Sequence, residues 1–119
     1  MSQSYSGSCH CSAVQFKITS DLKEFTWCDC SLCRKKNAVM TRVHESDFEL
    51  LTGEENLSTY VWNTGVAQHH FCKICGIYPF HRKRSDPSYF GINIHCLGGI
   101  DYNTIQITNV DGASMSMVE

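Results

Sequence analysis

Eight cysteines stand at positions 9, 11, 28, 30, 33, 72, 75 and 96 of the 119-residue chain, and seven of them fall in tight groups. That grouping constrains the fold more than any other feature. The start of the chain, "MSQSYSGSCHC", has neither a basic stretch nor an apolar segment, so it does not read as a secretory signal. The expected location is therefore cytoplasmic, where thiols stay reduced, and metal ligation accounts for the cysteines better than disulfides do. "CHC" supplies Cys9 and Cys11, and "CKICG" supplies Cys72 and Cys75. Gly76 permits the tight turn that aims both sulfurs of the second pair at one ion. Two such pairs make the closed four-thiolate set of a structural zinc. Cys11 and Cys72 are 61 positions apart, so closing this site removes much of the freedom of the unfolded chain.

The remaining group is "CDCSLC", with Cys28, Cys30 and Cys33 on one loop. A structural zinc takes four protein ligands, whereas a catalytic zinc usually takes three and keeps one position open. With the two pairs assigned elsewhere, only a distant residue could close this second site. His44, His69, His70, His81, His95 and Cys96 are the candidates. Left open, the fourth position suits a soft, exchangeable ligand, and a substrate thiol is the natural choice.

The rest of the chain reads as mostly β. "AVQFKIT" alternates Val14, Phe16 and Ile18, and "YFGINIHCL" alternates Phe90, Ile92 and Ile94. "EFTWC", "AVMTRVHES", the segment from Leu57 to Trp62, the flanks of the second knuckle and "TIQITNV" complete the expected strands. The only helical candidates are a turn after Cys33 and a short stretch from Ser46 to Leu51. Tyr60, Trp62, Phe71 and Phe80 are expected in the core. Residues 1–119 are read as one domain with a core from about 5 to 110. The longest apolar runs are only a few residues, so no membrane-spanning helix is expected. A net charge of −2 argues against a large nucleic-acid footprint.

In order along the chain, "GSCHC", "CDCSLCRKKNA", "GEENLSTYVWNTG", "HHFCKICGIYPFHR" and "GINIHCLGG" resemble the glutathione-dependent formaldehyde-activating enzyme family, also called the GFA or centromere-protein-V-like family. The likeness runs from about Tyr5 to Asp101. It implies a β-tent of small antiparallel sheets holding two zinc ions. Cys9, Cys11, Cys72 and Cys75 match the structural ligands, and Cys28, Cys30 and Cys33 match the catalytic ones, in agreement with the partition by spacing. The implied activity is addition of glutathione to formaldehyde, formally a carbon–sulfur lyase reaction in reverse. The open zinc would bind the thiol and lower its pKa, and the thiolate would attack the aldehyde carbon held beside it.

Other residues carry two readings each. Arg34, Lys35 and Lys36, and Arg82, Lys83 and Arg84, either receive the carboxylates of a glutathione-like peptide or form solvated surface. Trp27 is either core or the wall of a substrate pocket. His69 or His70 either supports a metal-bound sulfur or simply ends a strand. His10 is expected to point away from the ion, and Cys96 to be a buried hydrophobe. Two rival functions remain: a non-catalytic zinc-binding interaction module, and a thiol enzyme like the type-B methionine sulfoxide reductases, with Cys96 as nucleophile. A homodimer by edge-strand pairing is also compatible with a β-domain of this size.

Overall fold

The alternation at Phe16 and Ile18 is realised in β2 (Gln15–Ser20), where both are fully buried while Gln15, Lys17 and Thr19 face solvent. The computed structural model describes residues 2–28, 31–61, 68–82, 88–101 and 105–110, and the side chains of Cys28, Ser31, Cys33 and 108–110 lie outside that set. β2 sits between β1 (Gln3–Ser8) and β5 (Phe48–Thr52) in a three-stranded antiparallel sheet. A second sheet contains β3 (Thr26–Cys28), β4 (Met40–His44), β6 (Leu57–Tyr60), β7 (Gln68–Cys72), β8 (Phe80–Arg82), β9 (Tyr89–Asn93) and β10 (Thr108–Val110). Its order is β10-β3-β4-β9-β8-β7-β6, antiparallel throughout except where β10 runs parallel to β3. One short helix, α1 (Ser31–Lys36), follows β3.

The two sheets meet through phenylalanines from four strands. Phe16 of β2 and Phe48 of β5 face Phe80 of β8 and Phe90 of β9. Phe48 stacks on Phe90 with ring centroids 4.4 Å apart and meets the edge of Phe80 at 4.8 Å. Phe16 meets the edge of Phe80 at 5.5 Å. Such pairs contribute about 0.5–1.5 kcal/mol each beyond the area they bury. Val14, Ile18, Phe25, Val39, Val43, Ile92, Ile94 and Leu97 belong to the same core, which Cys9 and Cys72 also join. Because strand residues alternate, the row Phe80, Phe90 and Ile92 takes one face of the large sheet and leaves His81 and Gly91 on the other.

Several expectations are corrected. The Ser46 to Leu51 stretch is not a helix: a single 3₁₀ turn, Glu45–Asp47, is capped by His44 Nδ1 accepting from the Ser46 amide at 3.1 Å. β5 follows at once, because Phe48 is drawn into the aromatic cluster. Cys96 does not end a strand. The chain leaves β9 into a 3₁₀ turn, Ile94–Cys96, in which the Asn93 side chain accepts from the His95 amide. Of the described part of "TIQITNV", residues 105–110, Thr108–Val110 form strand and Ile107 before them is half exposed, while Thr104 lies outside the described residues. Tyr60 is 49% exposed and so is not core, and Phe71 is only partly buried, whereas Phe80 is buried. Trp62 lies outside the described residues. β1 was not anticipated, since "QSYSGS" buries only Gly7 fully.

Gly53 seats the loop that carries the first cysteine pair. Its φ is +94°, and a Cβ there would lie 2.1 Å from the Ala13 carbonyl oxygen and 2.7 Å from Val14 Cα. Gly53→Ala is therefore expected to destabilise the fold by about 2–3 kcal/mol, from left-handed strain plus the clash. Urea unfolding should show a lower midpoint at unchanged slope.

Candidate metal centre and adjoining site

Two loops bring four sulfurs together. In the first, the Cys9 amide bonds the Val14 carbonyl at 3.1 Å and the Ser12 amide bonds the Cys9 carbonyl at 3.3 Å, with Ser12 at φ +66°. In the second, the Cys72 amide bonds the Ile77 carbonyl at 2.9 Å and the Gly76 amide bonds the Cys72 carbonyl at 2.8 Å, with Gly76 at φ +79°. Both turns thus need a left-handed residue, which glycine supplies without strain only in the second. The Sγ atoms of Cys9, Cys11, Cys72 and Cys75 all lie within 4.8 Å of one another.

The spacing fits zinc. Four sulfurs held tetrahedrally at about 2.3 Å from zinc would be about 3.8 Å from each other. Cys9 and Cys11 are 3.6 Å apart, and Cys11 and Cys72 are 3.7 Å apart, far beyond a disulfide bond. Each sulfur also receives backbone N–H groups, which favour thiolate charge. The Val14 amide donates to Cys9 at 3.3 Å, Ala13 to Cys11, Cys75 and Ile74 to Cys72, and Ile77 and Cys11 to Cys75.

Those bonds divide the protons unequally. The Cys75 amide leads the effects that hold Cys72 below its ordinary value. Burial would raise Cys75, but the amides of Ile77 and Cys11 and the thiols of Cys72 and Cys11 outweigh it and bring it down to about 6. At Cys11 the Ala13 amide works downward, yet loss of water and the thiols of Cys9, Cys72 and Cys75 push it up to about 11. Cys72 and Cys75 are thus biased toward thiolate while Cys11 is biased toward its thiol, and a divalent cation beside them would favour ionisation of the bound sulfurs.

The three-cysteine group is only partly within view. Cys30 and the side chains of Cys28 and Cys33 lie outside the described set, while the backbone puts Cys28 at the end of β3 and Cys33 inside α1. Around it, the Trp27 indole N–H donates to Asn37 Oδ1 at 2.9 Å. Asn37 follows α1 with φ +52°, a helix-terminating conformation. Arg34, Lys35 and Lys36 form the last turn of α1, where positive charge suits the carbonyl end of a helix. Arg34 and Lys35 are exposed, but Lys36 turns inward and places Nζ 3.3 Å from the centroid of the Tyr78 ring.

The histidines take separate roles. His70 Nδ1 hydrogen-bonds the Thr59 hydroxyl at 2.9 Å. Burial first, then the positive charges of Arg82, His69 and Lys36, lowers His70 to about 4, so its imidazole is neutral near pH 7. His81 hydrogen-bonds the Tyr78 hydroxyl, and His69 is buried beside it with ring centroids 5.2 Å apart. His44 caps the turn after β4, and His10 and His95 are exposed. Arg82 pairs with Glu45 at 3.0 Å and covers the Phe90 ring, while Lys83 and Arg84 are outside the described residues. Cys96 is partly buried. Burial first, then the charges of Cys9 and Cys75, pushes its thiol up to about 12, which disfavours the thiolate a nucleophile needs. Sequence reasoning did not single out Tyr78.

Fold and site together define a β-domain tied at one end by a cluster of four cysteines able to hold a metal. Residues 4–108 match the family described as glutathione-dependent formaldehyde-activating enzyme, and the chain belongs to that family. A Halomonas elongata protein provisionally named a glutathione-dependent formaldehyde-activating enzyme is 33% identical over 78 residues. That match covers 58% of this chain and only 50% of the relative, so it spans half of the relative's length. A crystal structure of a Rhodobacter sphaeroides protein superposes with a TM-score of 0.82 at 34% identity, covering 88% of this chain and 99% of the other. No helix among the described residues is long and apolar enough to cross a membrane.

Cys72→Ser removes one ligand of the four-sulfur set. It is expected to lower bound zinc by one ion per chain and to reduce the melting temperature by more than about 10 °C. Metal analysis alongside a thermal melt checks both.

Proposed function

We propose that this protein binds glutathione or a similar thiol at Cys28, Cys30 and Cys33, with a second zinc there, and adds it to formaldehyde or another small aldehyde. One observation carries the reading beyond family membership. The four-sulfur set of Cys9, Cys11, Cys72 and Cys75 is complete by itself, so the close group of Cys28, Cys30 and Cys33 is left for another ion, with Cys96 apart from it in sequence. A three-thiolate zinc supplies an open, soft position that favours the thiolate form of an incoming thiol. The chain's own part is to hold and orient. The exposed Arg34 and Lys35 on α1 receive carboxylates of the thiol peptide, and Trp27 walls the site. His70, held neutral, adds no charge to it. Thiol and aldehyde held in contact react as one unit, which supplies much of the acceleration for an addition that is already easy. The reaction class is that of a carbon–sulfur lyase running toward addition, in the cytoplasm where glutathione is available.

Zinc content and calorimetry of glutathione binding test this directly. The wild type is expected to carry two zinc ions and to bind glutathione. Cys30→Ser is expected to keep one zinc and to lose binding, with the structural site intact. Two zinc ions and no glutathione binding by the wild type would contradict the proposal and leave a metal-built interaction module instead.

A further inference from the structure

The face of the large sheet turned away from the phenylalanine core carries an organised set of titratable groups. His69 of β7 stands directly opposite His81 of β8, and His81 stands directly opposite Gly91 of β9. Gly91 makes room for the imidazole, since a Cβ there would lie 2.4 Å from His81 Cε1. The Tyr78 and His81 rings are nearly parallel at 15°, and the hydroxyl of one hydrogen-bonds Nδ1 of the other. Asn93 fixes the Tyr78 backbone by donating from Nδ2 to its carbonyl at 2.9 Å. Lys36 then lays its ammonium on the Tyr78 ring face. Lys36 is the last residue of α1, one turn beyond position 33, so this pair adjoins the element that carries a cysteine of the proposed thiol site.

We propose that Tyr78 and His81 form a proton relay serving the thiol site, an inference that rests on the thiol-binding function above. A thiol entering as thiolate must shed a proton, and the aldehyde oxygen must gain one after attack. The relay holds that proton in between. The S–H bond breaks and its proton passes to the Tyr78 oxygen, as the Tyr78 proton moves to His81 Nδ1. The sulfur electron pair forms the C–S bond, and the C=O π pair moves to oxygen. That oxygen takes the Tyr78 proton, and His81 Nδ1 returns its own to Tyr78. Nothing is oxidised or reduced. The Lys36 ammonium on the ring face stabilises negative charge that develops on the phenol oxygen. Among the described residues, other charged or titratable groups against the pair are His69 from β7, the Cys96 thiol 4.0 Å from the Tyr78 carbonyl and, across Gly91, Arg42 of β4.

The test counts protons. Glutathione binding to the zinc-loaded protein is measured by calorimetry at pH 7 in buffers of different ionisation enthalpy. The wild type is expected to release well under one proton per glutathione bound, because the pair retains it. Tyr78→Phe and His81→Gln are each expected to release about one, to keep their full zinc content, and to add glutathione to formaldehyde about 10²-fold more slowly. Gly91→Ala, which displaces the His81 ring, is expected to behave as His81→Gln does. Equal proton release by the wild type and the variants would overturn the relay while leaving thiol binding standing. Absence of glutathione binding by the wild type would overturn the thiol-binding function itself, and the relay with it.

Discussion

The fold depends on one junction: the meeting of the loop after β1 with the loop after β7, where four sulfurs gather from positions 61 apart. Closing a loop of that length by a fixed link is worth about 4 kcal/mol of unfolded-state freedom in the chain-entropy picture. The small sheet benefits most. β1 contributes little apolar surface of its own and is held by pairing with β2 and by the cysteine loop that follows it. The same junction holds the start of the "CKICGIYPFHR" segment, from which Tyr78, Phe80 and His81 project.

That segment joins the core to the site. Phe80 enters the aromatic cluster between the sheets, while the next residue, His81, faces the other side of the large sheet. Alternation along a three-residue strand therefore couples packing to chemistry. A shift of register in β8 would expose Phe80 and bury His81 in the phenylalanine core, so the aromatic contacts enforce the position of the imidazole. Gly91 plays the matching part on β9 by leaving space for the ring.

Much of this architecture was legible in the residues. The cysteine pairs announced their partnership because a metal knuckle needs short spacing and, in "CKICG", a glycine. Phe16, Ile18 and Phe90 to Ile94 announced their burial through alternation. What escaped did so for physical reasons. β1 is polar and is a strand only because β2 offers it a partner. Phe48 was drawn into a sheet by aromatic contacts that no local pattern reveals. Tyr60 looks like core by composition, yet it is 49% exposed on the strand that ends its sheet among the described residues. The Tyr78–His81 pair depends on a turn, a cross-strand glycine and a lysine from a different element, so no short window of sequence displays it. The three-cysteine group was visible as a motif from the start, and its ligand chemistry rests on proposal.

Sulfur coordination of zinc is the most direct measure of the central claim, that a closed four-thiolate site coexists with an open three-thiolate one. X-ray absorption at the zinc edge reports the average number of sulfur neighbours per ion. The account predicts about 3.5 sulfurs per zinc without glutathione, the mean of a four-thiolate and a three-thiolate site, rising to about 4 when glutathione is added. A value of 4 without glutathione, unchanged on its addition, would mean that both sites are closed by the protein and would contradict the account.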